Sequence, residues 1–144
     1  MMTDDVSLRC SATALDVRRM LGELRAHLAA ENLPDDDCSN VEIALAEALN
    51  NIVEHACRPG PHGTITLMLS VGQRNLTCEL RDRGVAMPGL APPGGTVPDI
   101  TGLRATLPEG GFGWPLIHAL TARLHYLRDG EENRLILDFD LDSQ

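Results

Sequence analysis

Residues 47–56 read EALNNIVEHA and carry the most specific pattern in the chain. Glu47, Asn51 and His55 are spaced by four residues, which places them along one face of a helix. The side-chain oxygen of an Asn is a suitable ligand for Mg²⁺ that carries substrate phosphates. A neighbouring Glu carboxylate can accept the proton of an attacking hydroxyl. Taken alone, the pattern also fits an amphipathic helix that turns Glu and Asn towards solvent.

The sequence around this motif predicts two successive helices. The second spans about residues 35–57, because an Asp-rich start suits the positive end of a helix dipole and the Pro and Gly of residues 58–61 stop it. The first helix begins at Thr13. Its apolar stripe is predicted to consist of Leu15, Met20, Leu21, Leu24 and Leu28. The stripe of the second helix is predicted to consist of Val41, Leu45, Ala48, Leu49, Ile52 and Ala56.

Two strands after the helices are predicted to pair as a hairpin. TITLMLSV occupies Thr64–Val71 and NLTCELRD occupies Asn75–Asp82, with a three-residue turn between them. Because helices and strands mix without regular alternation, the layout favours an α+β sandwich over a doubly wound parallel sheet. Further strands are predicted from VSLRCSA at residues 6–12, ARLHYLR at 122–128 and NRLILDFDL at 133–141.

The end of the second hairpin strand carries a candidate base-binding motif, LRDRGVAMP at residues 80–88. A partly buried carboxylate at a strand end, here Asp82, can accept a hydrogen bond from an exocyclic amine such as that of adenine. Gly84 allows the backbone to come close to a flat ring. An ordinary strand-to-loop turn is the alternative interpretation.

A candidate phosphate-binding motif, EGGFGWPLI at residues 109–117, precedes a third helix that is predicted to begin near Trp114 and Pro115. Backbone N–H groups at a helix N-terminus bind phosphate well where glycines leave the approach open. Pro115 equally serves a plain helix start. Residues 87–111 are rich in Pro and Gly, and a loop of this length in a compact domain is often a lid or a binding loop.

Composition excludes several other classes of function. The net charge of -9 and the pI of about 4.8 argue against direct binding to nucleic acid. We find no signal peptide and no apolar stretch of membrane-spanning length, so a cytoplasmic protein with no membrane partner is predicted. The 144 residues suffice for one domain, 1–144, with one core. The cysteines are too scattered to predict a metal site; they are Cys10, Cys38, Cys57 and Cys78.

In this order, the three motifs resemble those of the GHKL ATPase superfamily, which includes sensor histidine kinases, gyrase and MutL. The resemblance extends from the second helix through the third. It implies the Bergerat ATP-binding fold, a two-layer α/β sandwich whose mixed, mostly antiparallel sheet is covered on one face by helices. The short chain is most similar to the anti-sigma factor serine/threonine-protein kinases.

The resemblance implies a role for each motif residue. Glu47 would be the general base, and Asn51 would hold Mg²⁺. Asp82 would bind the adenine amine, with Gly84 and Ala86 shaping its pocket. An ATP lid would close over the phosphates through Gly110, Gly111 and Gly113.

Two positions depart from the pattern of the superfamily. The adenine loop usually reads Asp-x-Gly-x-Gly, but Ala86 stands at its last position. Many members carry a Thr near the adenine, at the start of the last strand, and Asn133 occupies that region here.

The function implied by the resemblance is that of an ATP-dependent serine protein kinase that acts as an anti-sigma regulatory factor. ATP and Mg²⁺ would be its cofactors. Its substrate would be an anti-anti-sigma protein with a STAS domain, and a sigma factor or similar regulator would be its second partner. The alternative is a module that sequesters a regulator in an ATP-dependent way without phosphotransfer. A stand-alone metabolic ATPase is less favoured, and the sequence leaves a homodimer open.

Overall fold

The computed structural model describes residues 5–56, 63–87, 92 and 113–141. In this part of the chain, five strands and three α-helices alternate irregularly. Their bounds are β1 Val6–Ser11, α1 Ala14–Ala30, α2 Asp35–Asn51, β2 Thr64–Val71, β3 Asn75–Asp82, α3 Gly113–Leu120, β4 Arg123–Asp129 and β5 Glu132–Asp140. A π-helical turn, Ile52–Ala56, continues α2.

The strands form one sheet in the order β1-β2-β3-β5-β4, and every pairing between these neighbours is antiparallel. The β2–β3 hairpin has the bounds that the sequence predicts. Gly130, with φ of 63°, makes the tight turn between β4 and β5, where a side chain would be strained. The register of β3 against β5 places Asn133 directly opposite Asp82.

Among the described residues, helices cover one face of the sheet, and the side chains of the other face are half-buried or exposed. Alternate residues of β2, β3 and β5 are buried and form one cluster with apolar side chains from all three helices. The sheet contributes Cys10, Ile65, Leu67, Leu69, Val71, Leu76, Cys78, Leu80, Leu135, Leu137 and Phe139 to this core. The predicted two-layer α+β sandwich is therefore confirmed.

Helix α1 begins as predicted but buries a different stripe at its start. The Thr13 hydroxyl caps the helix by accepting a hydrogen bond from the Asp16 N–H, 3.2 Å away. Val17 lies on the buried face, whereas Leu15 is 78% exposed, so the prediction for Leu15 is wrong. Two residues correspond to about 200° of helical rotation, which turns Leu15 away from the sheet when Val17 faces it.

The α-helix of α2 ends earlier than the predicted residue 57. It changes into the π-helical turn directly after Asn51, so the four-residue spacing of the motif does not continue to His55 in regular α-helix. The side chain of His55 lies outside the described residues, as do Gly110, Gly111 and almost all of the predicted lid at 87–111. In the described part of the chain, no helix is long and apolar enough to cross a membrane.

Candidate functional site

The first motif and the last glycine of the third motif meet where α2 packs against α3. Gly113 opens α3 and is buried. A Cβ placed on it would lie 3.1 Å from Oε1 of Glu47 and 3.7 Å from Nδ2 of Asn51. The backbone at the start of α3 therefore lies directly against these two side chains, and only a glycine leaves them their present positions.

The amide of Asn51 is oriented by its own helix. Its Nδ2 donates to the backbone oxygen of Glu47 over 3.0 Å, which leaves Oδ1 with no hydrogen-bond partner among the described residues. A neutral amide oxygen held in this way is a hard ligand of the kind that Mg²⁺ prefers.

Glu47 is half-buried, and its carboxylate makes no hydrogen bond or ion pair with any described residue. It lies beside the N-terminus of α3, where unpaired backbone N–H groups favour negative charge. Glu47, Asn51 and Gly113 thus combine a carboxylate that can take a proton, an oxygen that can hold a cation and a helix start whose backbone N–H groups can hold phosphate.

The second motif forms a separate polar cluster at the end of β3. Asp82 is 5% exposed. Its Oδ1 accepts two hydrogen bonds, from the Gly84 N–H at 2.8 Å and from Nδ2 of Asn133 at 2.9 Å. Its Oδ2 accepts no hydrogen bond from any described residue. Every fully buried side-chain oxygen or nitrogen among the described residues has a hydrogen-bond partner, so Oδ2 is not fully buried. Oδ2 therefore reaches the accessible surface as an unused acceptor.

Burial raises the pKa of Asp82, since a low-dielectric site disfavours the carboxylate. The hydrogen bonds from Asn133 and Gly84 and the positive charge of Arg128 act in the opposite direction. The negative charge of Glu132 adds to the effect of burial. Asp82 is thus a desolvated acceptor, and its charge depends on the donors around it.

The resemblance to the superfamily places Asn133 near the adenine but does not assign it a role. This residue is 4% exposed, and Nδ2 donates to Asp82 and to the backbone oxygen of Val85, the latter over 3.0 Å. Its Oδ1 accepts hydrogen bonds from the Tyr126 hydroxyl and from Nη1 of Arg128. The signal that could have found it is the register of β3 against β5, which requires knowing that these strands are neighbours.

Ala86 lies in the loop of residues 83–87, which we call the adenine loop after the role that the resemblance implies, and is half-buried. Within the described part of the chain, Asn32 is the non-glycine residue with positive φ, so the backbone at Ala86 does not require a glycine. Its flanking residues are both held: the Val85 oxygen accepts from Asn133, and the Met87 N–H donates to the Tyr126 hydroxyl over 3.1 Å. This loop therefore accommodates Ala at the position where the superfamily pattern has Gly.

The structure groups the predicted site residues into two halves. The helical half contains Glu47, Asn51 and Gly113, and the strand half contains Asp82, Gly84 and Ala86. No hydrogen bond between described residues links the halves. The remaining predicted residues, Gly110 and Gly111, lie outside the described ranges.

Comparison with known proteins gives the class of protein. A family model described as the histidine kinase-like ATPase domain matches residues 10–139, and the chain therefore belongs to this family. The predicted superfamily is confirmed. No curated protein matches the sequence.

A solved structure has the same fold over nearly the whole chain. The RsbU and RsbW domains of Rv1364c from Mycobacterium tuberculosis superpose with a TM-score of 0.67 and 17% sequence identity. The match covers 99% of this chain and 34% of that one. This chain thus spans about a third of the protein that it resembles.

Membership of an ATPase family implies that ATP binds. The strand half offers one desolvated acceptor, Oδ2 of Asp82, to an exocyclic amine. The helical half offers a helix N-terminus and the Asn51 oxygen to phosphates and their counterion. Among the residues that the structure describes, no group of three or more acidic, His or Cys side chains could hold a metal ion by itself.

Proposed function

We propose that this chain is an ATP-dependent protein serine kinase that regulates transcription as an anti-sigma factor. Its substrate would be an anti-anti-sigma protein with a STAS domain, and its second partner a sigma factor or similar regulator. The observation that carries the proposal is the position of the Glu47 carboxylate, which lies beside Asn51 and the start of α3. Similarity to a structure that contains an RsbW domain supports the same class of protein.

In the proposed site, the strand half holds the base and the helical half holds the phosphates. Oδ2 of Asp82 accepts a hydrogen bond from the adenine amine, and the N–H groups at the start of α3 face the phosphates. Mg²⁺, held by Asn51, would neutralise phosphate charge. These contacts position the terminal phosphate near Glu47.

Glu47 then supplies the proton transfer. The substrate serine oxygen bonds to the terminal phosphorus while the bond from that phosphorus to the bridging oxygen breaks, and ADP leaves. Glu47 takes the proton of the serine hydroxyl as its oxygen becomes an ester. A general base of this kind contributes roughly 10²–10⁴-fold to a rate.

A binding module without phosphotransfer is the second candidate, favoured by one observation. No described residue donates a hydrogen bond to the Glu47 carboxylate to orient it. ATP would then set the affinity for a partner through the helical half and the lid at 87–111, and Glu47 would have no chemical role.

One experiment separates the two candidates. Partners are captured from lysate with and without Mg-ATP, and the captured proteins are incubated with γ-labelled ATP before phosphosites are mapped. The kinase proposal requires that labelled phosphate is found on a serine of a STAS-domain partner. It also requires that Glu47→Ala keeps ADP affinity and lowers the labelling rate by roughly 10²–10⁴-fold.

The matched control removes a carboxylate elsewhere on α2. Glu42 forms an exposed ion pair with Arg25, so Glu42→Ala should leave the labelling rate unchanged. ATP-dependent capture of a partner that never takes up label would establish the binding module and overturn the kinase.

A further inference from the structure

Asn133 has no hydrogen-bonding capacity left for a ligand. Its amide nitrogen donates towards Asp82 and the backbone oxygens of Gly84 and Val85, and its oxygen accepts from Tyr126 and Arg128. With 4% of its surface exposed, it cannot read a base directly. Any effect that it has on nucleotide binding must pass through the groups that it holds.

We propose that Asn133, held by Tyr126 and Arg128 of β4, is the positioning residue of the base pocket and fixes both Asp82 and the adenine loop. The proposal rests on the assignment of Asp82 to the adenine amine. It adds a layer of residues behind that contact, supplied by the edge strand β4 and by the start of β5.

Two donors fix the direction of the Asp82 carboxylate. Both of its protein hydrogen bonds, from the Gly84 N–H and from Asn133, end on Oδ1. A carboxylate without such partners can rotate and present either oxygen. Pinning Oδ1 leaves Oδ2 as the one acceptor in a fixed direction, which lowers the conformational entropy that is lost on binding.

Asn133 and its two partners on β4 also hold the adenine loop. Its backbone is held at three points: the Gly84 oxygen accepts from Arg128 over 2.7 Å, the Val85 oxygen accepts from Asn133, and the Met87 N–H donates to Tyr126. Since Asn133 also accepts from the side chains of Tyr126 and Arg128, one amide connects all three points. The pocket wall is therefore ordered before a ligand arrives.

Asn133 also affects the charge of Asp82. The hydrogen bond from Asn133 lowers the pKa of Asp82 and so favours the carboxylate, which the adenine amine requires. Arg128 acts in the same direction, while burial and Glu132 act against it. Without the Asn133 donor, Asp82 should hold its proton to higher pH and offer a donor, which suits a purine that carries an oxygen at position 6.

The test measures dissociation constants of ATP and ITP by calorimetry between pH 5 and pH 8. The variant Asn133→Asp keeps the side-chain shape and replaces the donating amide with a carboxylate. We expect ATP affinity at neutral pH to fall by about 10-fold or more, as expected when hydrogen bonds to a charged group are lost. The acid limb of the pH profile, meaning the loss of ATP affinity as the pH is lowered, should move to higher pH. The ratio of ATP affinity to ITP affinity should decrease.

Asn75→Asp is the matched control, because it makes the same chemical change at the far end of β3, where Asn75 donates to Asp138. It should leave the affinities and the pH profile unchanged. A residue that merely supports the fold would weaken both nucleotides alike and would not move the acid limb.

A second variant covers the case in which Asn133→Asp does not fold. Tyr126→Phe keeps the ring and removes the hydroxyl that holds Asn133 and Met87, and ATP affinity should fall about 3- to 10-fold. Wild-type affinity and an unchanged acid limb in the folded variants overturn the proposal, provided that Asp82→Asn loses ATP binding. If Asp82→Asn also binds ATP normally, the assignment of Asp82 has failed, and this inference with it.

Discussion

Replacing Asp82 with Asn tests whether Asp82 binds the base, because the orientation of the new amide is determined by the donors around it. The two protein donors, Gly84 N–H and Asn133 Nδ2, both end on Oδ1. In Asp82→Asn the one remaining oxygen must take that position, so the new NH₂ group takes the position of Oδ2. It then meets the adenine amine donor to donor. The variant therefore removes a charged acceptor and replaces it with a group of the wrong polarity.

The size of the effect follows from the strength of that contact. A hydrogen bond to a charged group contributes about 1.5–3 kcal/mol, so ATP affinity should fall about 10- to 150-fold. At an ATP concentration of ~100 Kd, the wild type gains about 2.7 kcal/mol of unfolding free energy and the variant about 0.3–1.3 kcal/mol. For a chain of 144 residues, these gains raise the Tm by about 9 °C and by about 1–4 °C, respectively.

The assay is thermal unfolding with ATP, with ITP and without nucleotide. ITP has an acceptor where ATP has an amine, so its stabilisation of Asp82→Asn should equal or exceed that by ATP. Asp140→Asn, an exposed change on β5, should keep the wild-type response to both nucleotides. If Asp82→Asn retains a wild-type Tm increase with ATP, Asp82 does not bind the base.

The unliganded variant gives an independent check through pH. Because burial raises the pKa of Asp82 in the folded protein, this group stabilises the fold at acid pH and loses that contribution as pH rises through the folded pKa. Asp82→Asn cannot ionise and still accepts both hydrogen bonds. It should therefore be at least as stable as the wild type at pH 7, and the difference should shrink as the pH is lowered.

Three further predictions concern other parts of the chain. Gly113→Ala places a Cβ 3.1 Å from Oε1 of Glu47, so the carboxylate must move by a few tenths of an ångström. The rate of phosphotransfer, measured in a stopped assay, should therefore fall several-fold, whereas the Tm without nucleotide should stay unchanged. Leu24→Ala, at a fully buried position of α1, should lower the unfolding free energy by about 2–5 kcal/mol in urea titration. Leu15→Ala on the same helix should change it by less than about 0.5 kcal/mol, and equal losses would contradict the observed face of α1. Cys10, whose pKa burial raises to about 11, should resist alkylation at pH 8 until the protein unfolds.

The sheet was predictable where the pattern is local. Alternation along Thr64–Val71 and Asn75–Asp82 determines both strands and their hairpin, and it places Asp82 at a strand end. Thr13 was also predictable as a helix start, because its hydroxyl caps the helix by accepting from the N–H of Asp16, only three residues along the chain. These features depend on side-chain periodicity and on contacts between near neighbours in sequence.

What the sequence did not predict depends on contacts between distant segments or on helical phase. Asn133 meets Asp82 across 51 residues of chain, and that contact follows from β3 and β5 being neighbours in the sheet. The choice of Leu15 failed because the phase of the helix is set by how Val17 packs on the sheet. The sequence does not indicate the π-helical turn after Asn51, because the apolar stripe of the second helix continues through Ile52.

The division of the proposed site between two layers has a mechanical consequence. Asp82 belongs to the sheet, whereas Asn51 and Gly113 belong to the helices that lie over it. A nucleotide that spans both halves is a non-covalent cross-link between the layers. A force that slides the helices along the sheet would load that cross-link in shear, so the bound protein would yield at a higher force than the free one. Cleaving the terminal phosphate would loosen the helical end of the cross-link and leave its sheet end in place.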